Sequence, residues 1–524
     1  MGSRISLRIA CDAMETDFPV PAMIVDLHAH YPMHLMDEHM PARPFLVWKW
    51  FRSAPPSRRR AHVTKVRYRP RRRYRALLMS LLRLLNPIAN YRSLTSGPGV
   101  TVEKMRKGGV GVVLSPLYDP LDELGDIPFW ILGLCGSFVL AVGCLALGGI
   151  FSFWGHHVPD PPDRAMLGAA HVLFVSSLVC FVLFAALVFL MALHNRLALV
   201  VGGQDELPGS YPRKVYMVDL LIQRREVERD IRAVGTWATV ARTYAQLKTA
   251  LGKHRIALVH AVEGGFHLGR SEQAIERNVR KLARYGVAYV TLSHLVWRRI
   301  ASNAPGVPFL SDWMYHVLAP QPERGLTRLG MAAVCSLVRH GVLIDITHMS
   351  EKAIWETFAL LTKIEKCDNE KGRIPVIATH IACRFDRHEY NLSAPTIREI
   401  AHRQGVMGVI FCKHWTSTGL FQPTSQAESF EIIKLHIERI HDLTGCYDHI
   451  ALGSDLDGYI KPMLPGLEDM AMMPDLADFL RGQYGAAVAE KILSGNALDV
   501  LRRGWGATRI VRCERGASTA TTAA

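Results

Sequence analysis

Seven histidine and acidic residues of this 524-residue chain carry side chains that commonly bind zinc and related cations. They are His28, His30, Glu263, His294, His348, His380 and Asp455. His28 and His30 are two residues apart, so on an extended chain both imidazoles point the same way and can reach one ion. The set contains no cysteine, which favours a catalytic metal site with positions open to water over a closed structural one.

Short apolar stretches that are typical of β-strands precede or contain these residues. There are eight such stretches: Ile24–Leu27, Val110–Leu114, Ile256–Val262, Ala288–Leu292, Val342–Ile346, Val376–Ala378, Val406–Phe411 and Ile450–Leu452. Helical patterns separate the later ones: Glu272–Tyr285, Arg328–Arg339, Glu351–Ile364, Ser393–Arg403 and Ser429–Leu443. Alternating strands and helices predict an α/β fold with a parallel sheet, and eight units predict a (β/α)8 barrel of the TIM type. The carboxyl ends of barrel strands surround one axis, so we expect the seven side chains to converge there.

The predicted site has the residues that a metal-dependent hydrolase needs. A bound cation lowers the pKa of water, and a neighbouring carboxylate can accept the proton. We predict that Asp455 is this base as well as a ligand, and that Glu263 could bridge two zinc ions. Gly264 and Gly265 follow Glu263 and would let the chain turn sharply beside the metal.

Several strings of the sequence resemble the membrane (renal) dipeptidase family of the amidohydrolase superfamily. The strings are HAVEGG, YVTLSH, LIDITHMS, PVIATH and HIALGSDLDG, followed by PGLEDMAMMPDLADFL and KILSGNALDVLR. The resemblance covers about residues 23–37, 100–120 and 214–503, and it implies a (β/α)8 fold, two zinc ions and cleavage of dipeptides with a free carboxylate. By position it implies ligand roles for His28, Glu263, His348 and His380. It further implies that Glu263 bridges the ions, that His294 contacts the substrate or the transition state, and that Asp455 handles the proton.

The sequence departs from the pattern of that family at two places. His30 stands where the family has aspartate, which would leave more net positive charge on the metals. Tyr390 stands before Asn391, where the family has an arginine that binds the substrate carboxylate, and tyrosine cannot replace a bidentate clamp. Arg384 or Arg387 could substitute for that arginine in binding substrate, beside Tyr390 itself. The departure also leaves open a cyclic amide, a lactone, or an N-acyl or lipid-linked substrate.

Two long apolar segments predict a transmembrane hairpin inserted in a loop between a strand and its helix. Phe129–Phe151 carries no charge, and Leu167–Leu193 has His171 as its only ionisable group. Each is long enough to cross a bilayer as a helix, although a pair of buried core helices is the alternative. The positive-inside rule places the connecting loop outside and the barrel in the cytoplasm.

These observations divide the chain into consecutive regions. Residues 1–127 would begin the barrel and contain an arginine-rich insertion at about 38–99. Residues 128–195 would form the hairpin and 196–510 the rest of the barrel, and 511–524 would be a disordered tail.

The net charge of +15 comes largely from the segment Arg52–Arg75. This segment is either a disordered basic linker or a patch that binds anionic lipid head groups. Nucleic acid is not expected as a partner, because no recognition motif accompanies the arginines. The scattered cysteines fit a reducing compartment, and a homodimer is possible. A catalytically silent membrane scaffold is the alternative from a different functional class.

Overall fold

The computed structural model describes most of the chain, but several segments fall outside the description. The described residues are 23–32, 98–118, 123, 129–157, 164–201, 216–307, 311–319, 321, 325–367, 372–458 and 463–511. The segment Arg52–Arg75, nearly all of the predicted insertion 38–99 and nearly all of the predicted tail 511–524 lie outside these residues.

Nine parallel strands lie among the described residues. They are β1 (Ile24–Asp26), β2 (Val110–Leu117), β3 (Ala238–Ala241), β4 (Ile256–Glu263), β5 (Tyr289–Thr291), β6 (Leu343–Asp345), β7 (Val376–Ile381), β8 (Val406–Val409) and β9 (Ile450–Leu452). The sheet runs in the order β2-β1-β9-β8-β7-β6-β5-β4, and pairing of β2 with β4 closes these eight strands into a barrel. The prediction of a TIM-type barrel is therefore confirmed.

The sequence prediction missed β3. This strand pairs with the first half of β4, from Ala238 opposite Ile256 to Ala241 opposite Val259. β3 lies on the same side of β4 as β5, which pairs with β4 farther along, at Val262 and Glu263. β3 is therefore an addition to the closed ring of eight strands. Four small residues give too short an alternation to predict a strand from sequence.

Helices alternate with the later strands, as the sequence predicts. In chain order the helices are α1 (Val102–Lys107), α2 (Phe129–His157), α3 (Arg164–Val201), α4 (Tyr216–Ala233), α5 (Tyr244–Gly252), α6 (Glu272–Arg284), α7 (Asp312–Leu318), α8 (Arg328–His340), α9 (Glu351–Cys367), α10 (Ala394–His402), α11 (Lys413–Thr416), α12 (Gln426–Thr444), α13 (Met473–Glu490) and α14 (Asn496–Gly504). Ser271, Thr327 and Ser425 cap α6, α8 and α12, because each side-chain oxygen accepts a backbone N–H of the first turn.

Alternate residues of the strands build two apolar layers. Val112 and Val259 belong to a cluster formed largely by the inward faces of the strands. Val113 and Leu258, their neighbours in sequence, belong to a larger cluster that includes Val279 of α6 and other helix residues. This alternation follows from the two-residue repeat of a strand and leaves the strand ends to position polar groups.

The chain divides into two compact units. Residues 1–123, 214–312 and 323–524 form the barrel unit, and residues 124–213 with 313–322 form the second unit. In the second unit α2 and α3 pack together, and the Ser177 hydroxyl donates to the backbone carbonyl of Ala141 at 2.7 Å. Large apolar side chains of both helices, such as Leu140 and Leu178, are more than half exposed.

One helical segment among the described residues could cross a membrane by length and composition. It is Arg164–Ala186 in α3, which has 23 residues. Helix α2 contains a shorter apolar stretch, Leu140–Trp154. The hairpin of two spans thus stays a prediction.

Candidate metal centre

The seven side chains singled out by the sequence lie together at one end of the barrel. His28 and His30 follow β1, Glu263 ends β4, His294 follows β5, His348 follows β6, His380 lies in β7, and Asp455 follows β9. None of the seven residues is more than 6% exposed. Parallel strands present their carboxyl ends at the same rim, which is why residues so distant in sequence meet.

The β1/β9 group consists of His28, His30 and Asp455. The Nε2 atoms of His28 and His30 are 3.1 Å apart. Oδ1 of Asp455 is 3.0 Å from Nε2 of His30 and 3.9 Å from Nε2 of His28. Two imidazole nitrogens and one carboxylate oxygen therefore face a common point.

The β6/β7 group consists of His348 and His380, whose Nε2 atoms are 3.0 Å apart. Oε1 of Glu263 is 3.6 Å from both nitrogens and 3.4 Å from Nε2 of His28. Oε2 of Glu263 is 3.5 Å from Nε2 of His30. The carboxylate of Glu263 is thus shared between the two groups.

The spacing of these atoms fits divalent cations. Tetrahedral zinc with Zn–N bonds of about 2.0–2.1 Å places two ligand nitrogens roughly 3.3 Å apart. The observed separations of 3.1 and 3.0 Å are close to that value. Two neutral imidazole nitrogens at this distance need a proton or a cation between them, and a binuclear site supplies one cation for each pair.

Hydrogen bonds on the far side of the rings fix two of the imidazoles. The Tyr289 hydroxyl donates to a backbone carbonyl and is 2.8 Å from Nδ1 of His28. The Thr379 hydroxyl is 2.7 Å from a carboxylate oxygen of Asp345, to which it donates, and 2.9 Å from Nδ1 of His380. Each hydroxyl therefore accepts from an Nδ1–H, which leaves the Nε2 lone pair of His28 and His380 facing the site.

Two of the candidate site residues at the rim have backbone conformations that are rare for residues other than glycine. His348 has φ +66° and Asp455 has φ +55°, values in the left-handed region that residues other than glycine rarely adopt. Such strain is typical of functional positions that the surrounding structure holds in place. Space at the rim is also tight around Gly265, because a Cβ added there would lie 2.5 Å from the carbonyl oxygen of Leu292.

The electrostatics of the site favour an ionised Glu263 and an uncharged His380. Burial raises the pKa of Glu263, but His294 and His28 outweigh it and hold the pKa well below the usual range. Burial, together with the charges of His28 and His348, holds the pKa of His380 well below its usual value. Deprotonated nitrogens and a carboxylate are the forms that bind metals.

The sequence prediction missed Glu123, which is the partner of His294. Nδ1 of His294 is 2.5 Å from Oε2 of Glu123, and Nε2 of His294 is 3.5 Å from Oε1 of Glu263. Burial lowers the pKa of His294, but the two carboxylates outweigh this effect and raise the pKa to about 9. Glu123 lies six residues after the end of β2 in an acidic stretch, LYDPLDELGD, so its type and spacing give no signal of this contact.

The predicted substrate-binding residues other than His294 occupy different environments. Arg384 donates to Glu351 at 2.9 Å and to two backbone carbonyls, and Arg387 is exposed. The Tyr390 ring is stacked on Trp415, with centroids 4.3 Å apart, and lies 5.1 Å from the ring of His348. The structure therefore brings Tyr390 beside the site and ties Arg384 into the loop that follows β7.

Known proteins match this chain in sequence. The model of the membrane dipeptidase family, peptidase family M19, matches residues 210–507. An uncharacterized dipeptidase of Schizosaccharomyces pombe is 27% identical over 259 residues, which are 49% of this chain and 54% of that protein. The dipeptidase ataJ of Aspergillus terreus is 26% identical over 260 residues, which are 48% of this chain and 58% of that protein. The chain thus spans somewhat more than half the length of these curated relatives.

A solved structure shares the fold. It is the metallopeptidase of Rhodobacter sphaeroides, whose crystal structure holds a phosphinate mimic of the dipeptide L-Ala-D-Ala. The match has a TM-score of 0.51 and 15% sequence identity, and it covers 92% of this chain and 99% of the other.

Proposed function

Because the chain belongs to the membrane dipeptidase family, peptidase family M19, we propose that it is a metal-dependent hydrolase that cleaves the amide bond of dipeptides. The observation that carries this proposal is the sharing of Glu263 by two groups of metal donors, with Oε1 within 3.6 Å of three imidazole nitrogens that belong to these groups. Such an arrangement would hold two cations close enough to act on one amide group.

The proposed cofactor is a pair of zinc ions with Glu263 between them. His28, His30 and Asp455 would hold one ion, and His348 with His380 would hold the other. Nitrogen and carboxylate ligands without thiolate are those of catalytic zinc. When bound, the ions supply a water of lowered pKa and polarise the substrate carbonyl.

The chain's own residues provide the proton transfers and the orientation. Asp455, with Oδ1 3.0 Å from Nε2 of His30, accepts the proton of the attacking water and returns it to the leaving amine. His294 donates from Nε2 toward the oxygen of the cleaved carbonyl, because the carboxylate of Glu123 at Nδ1 favours the charged form of the ring. The buried rim excludes bulk water and strengthens both interactions.

The substrate end of the site favours a second class of substrate beside dipeptides. Arg384 is hydrogen-bonded to Glu351, and Arg387 is exposed, so neither has the environment of a buried carboxylate clamp. The Tyr390 ring, stacked on Trp415, lies beside His348 instead. An N-acyl or lipid-linked amide, a cyclic amide or a lactone would suit a site without a carboxylate clamp.

A scaffold without catalysis is the weaker reading. Seven buried ionisable side chains at one rim would destabilise a protein that had no cation to pair them with. Purified protein that folds and holds no metal would favour the scaffold.

The test is hydrolysis by the full chain, purified in detergent with zinc, of dipeptides, N-acyl amino acids and lactones. Asp455→Asn should abolish turnover, because the amide cannot accept the proton, with a loss of about 100- to 10,000-fold. Asp475→Asn is the control, since that carboxylate bonds only Gln426 among the described contacts. Undiminished activity of Asp455→Asn would remove this residue from the mechanism, and a wild type inactive on the whole panel would refute the proposed function.

We further propose that the second unit anchors the enzyme in a membrane by two spans. The exposed apolar side chains of α2 and α3 support lipid contact, and Arg52–Arg75 would bind anionic head groups. The distribution of basic residues favours a cytoplasmic barrel, which is the orientation that we propose. The disulfide-bonded state of Cys335 favours the opposite side, because the cytosol keeps thiols reduced.

Cys367 allows a direct test of this orientation, since it is a free and exposed cysteine of the barrel unit. A membrane-impermeant maleimide applied to intact cells should fail to label Cys367 if the barrel is cytoplasmic, and should label it after permeabilisation. Cys367→Ala is the control for labelling elsewhere. Labelling of Cys367 in intact cells would reverse the proposed orientation.

A further inference from the structure

Glu123 is a buried carboxylate that lies outside both groups of metal donors. It is fully buried in the barrel unit. Its Oε2 atom accepts from the Tyr118 hydroxyl at 2.6 Å and lies 2.5 Å from Nδ1 of His294. Its Oε1 atom accepts from the backbone N–H of Val296 at 2.8 Å. Both carboxylate oxygens are therefore used, and they join the segment after β2 to the loop after β5.

The loop after β5 makes a hydrogen bond with the backbone of Glu123 as well as with its side chain, and a further bond within the loop holds His294. The guanidinium of Arg298 donates to the backbone carbonyl of Glu123, and the Asn303 side chain donates to the backbone carbonyl of His294. These bonds fix the backbone on both sides of the contact between Glu123 and His294. The carboxylate is thus a rigid acceptor and not a surface group that happens to approach a histidine.

The consequence of this contact lies on the other side of the imidazole. Because Nδ1 of His294 bonds Glu123, the ring can turn only by breaking that bond, and Nε2 stays 3.5 Å from Oε1 of Glu263. The ring of His294 is also 4.6 Å from the ring of His348 and 4.5 Å from the ring of Tyr118. Nε2 therefore faces the space beside the shared carboxylate, where an amide held by both cations would lie.

We propose that Glu123 is a positioning residue that acts through His294, holding Nε2 of that ring toward the carbonyl oxygen of the substrate. This inference rests on the proposed hydrolase function. It assigns to Glu123 no direct contact with substrate or metal. The orienting carboxylate of a catalytic histidine has the same physical purpose in other hydrolases, where it fixes both the tautomer and the direction of the ring.

The test compares wild type, Glu123→Ala, Glu123→Gln, His294→Gln and the double variant Glu123→Ala/His294→Gln, all as full chains in detergent with zinc. We expect Glu123→Ala to lower kcat by about 10- to 100-fold, as loss of a supporting partner typically does, with KM changed by less than about twofold. Glu123→Gln keeps the shape and one acceptor oxygen but loses the negative charge and turns an amide N–H toward one of the present donors, so it should recover only part of this loss. In the His294→Gln background, Glu123→Ala should have no further effect, because the residue acts only through that ring.

Two outcomes would overturn the inference. One is wild-type kcat in Glu123→Ala, and the other is an equal loss in both backgrounds, which would indicate a structural role. Metal content and melting temperature are measured for every variant, and Glu228→Gln is the matched control for loss of a buried, hydrogen-bonded carboxylate outside the site.

A phosphinate dipeptide mimic provides a second measurement that does not require turnover. Its affinity should fall in Glu123→Ala and recover only in part in Glu123→Gln. Wild type that neither hydrolyses the panel nor binds the mimic would refute the proposed function, whereas an active wild type with unimpaired Glu123→Ala would refute only the positioning role.

Discussion

The β1/β9 group and the β6/β7 group have nearly the same imidazole geometry and different charge. The two Nε2 atoms are 3.1 Å apart in the first group and 3.0 Å apart in the second. The first group adds the carboxylate of Asp455, whereas Glu263 is the only carboxylate within 4.0 Å of a ring nitrogen of His348 or His380 among the described residues. Asp345 lies within 4.8 Å of both His28 and His380 and so lies near both groups. A cation in the β6/β7 group would keep more net positive charge, so it should be held less tightly and should polarise a carbonyl more strongly.

The two groups also share one support. Their inner rings, His28 and His380, have centroids 3.8 Å apart, and Thr379 Oγ1 is 3.3 Å from Nδ1 of the former and 2.9 Å from Nδ1 of the latter. The outer rings, His30 and His348, have Nδ1 atoms without a hydrogen-bond partner among the described residues. Each group thus pairs one braced histidine with one unbraced histidine, and charge is the main difference between them.

The largest effect should come from breaking both groups at once. Glu263→Gln keeps the shape of the side chain and removes the shared negative charge, so we expect fewer than one bound ion per chain. Turnover should fall by roughly a thousandfold or more, since several kcal/mol of stabilisation are lost. Metal analysis and kcat measure both effects. Glu272→Gln, which alters a surface pair with Arg328, is the control, and two ions retained by Glu263→Gln would contradict the shared site.

A smaller effect should follow from removing the common support. Thr379→Val keeps the volume of the side chain and deletes its hydrogen bonds to His380 and His28. We expect metal affinity to fall by about 10- to 100-fold, and more in the β6/β7 group because its bond is the shorter one. Titration with a chelator, followed by metal analysis, measures the affinity for the ion of each group. Thr357→Val is the control, because it removes a buried hydroxyl that bonds within α9 at 2.8 Å and should change neither affinity.

The smallest effect should come from changing the charge of one group alone. His30→Asp adds a second carboxylate to the β1/β9 group, so the more tightly held ion should bind about tenfold more tightly, an effect of ~1.4 kcal/mol. His348→Asp is the reciprocal variant and should strengthen binding of the other ion, because it adds a carboxylate to the β6/β7 group. Aspartate tolerates the left-handed backbone at that position. Chelator titration reads both variants, and equal changes at both ions in either variant would show that the groups are not distinct.

The predictability of the fold varied with the length of each element. The eight longer apolar stretches identified the strands of the barrel, and the capped amphipathic segments identified helices such as α6 and α8 within a residue or two. β3 was not identified, and neither were the helices α1, α4, α5, α7, α11, α13 and α14. β3 is too short for its alternation to be recognised, and α4 mixes charged and apolar residues in a pattern with no clear boundary signal.

The predictability of the site depended on the kind of contact. Residues at strand ends, such as His28 and Asp455, could be inferred because closure of a barrel brings strand ends together whatever the loops do. Glu123 could not be inferred, because it reaches His294 from a segment whose path no local pattern determines. The hydrogen bond between Arg384 and Glu351 could not be inferred either, since a basic side chain in a loop can point in many directions.

The sequence by itself determined the barrel, the set of donor residues and the family, because these depend on periodic patterns and on residue types at fixed positions relative to strands. Only the tertiary structure decided that Thr379 lies at hydrogen-bond distance from a histidine of each group and that Glu123 holds His294. Those features are distances between side chains far apart in the chain, and such distances are fixed by packing and not by local sequence.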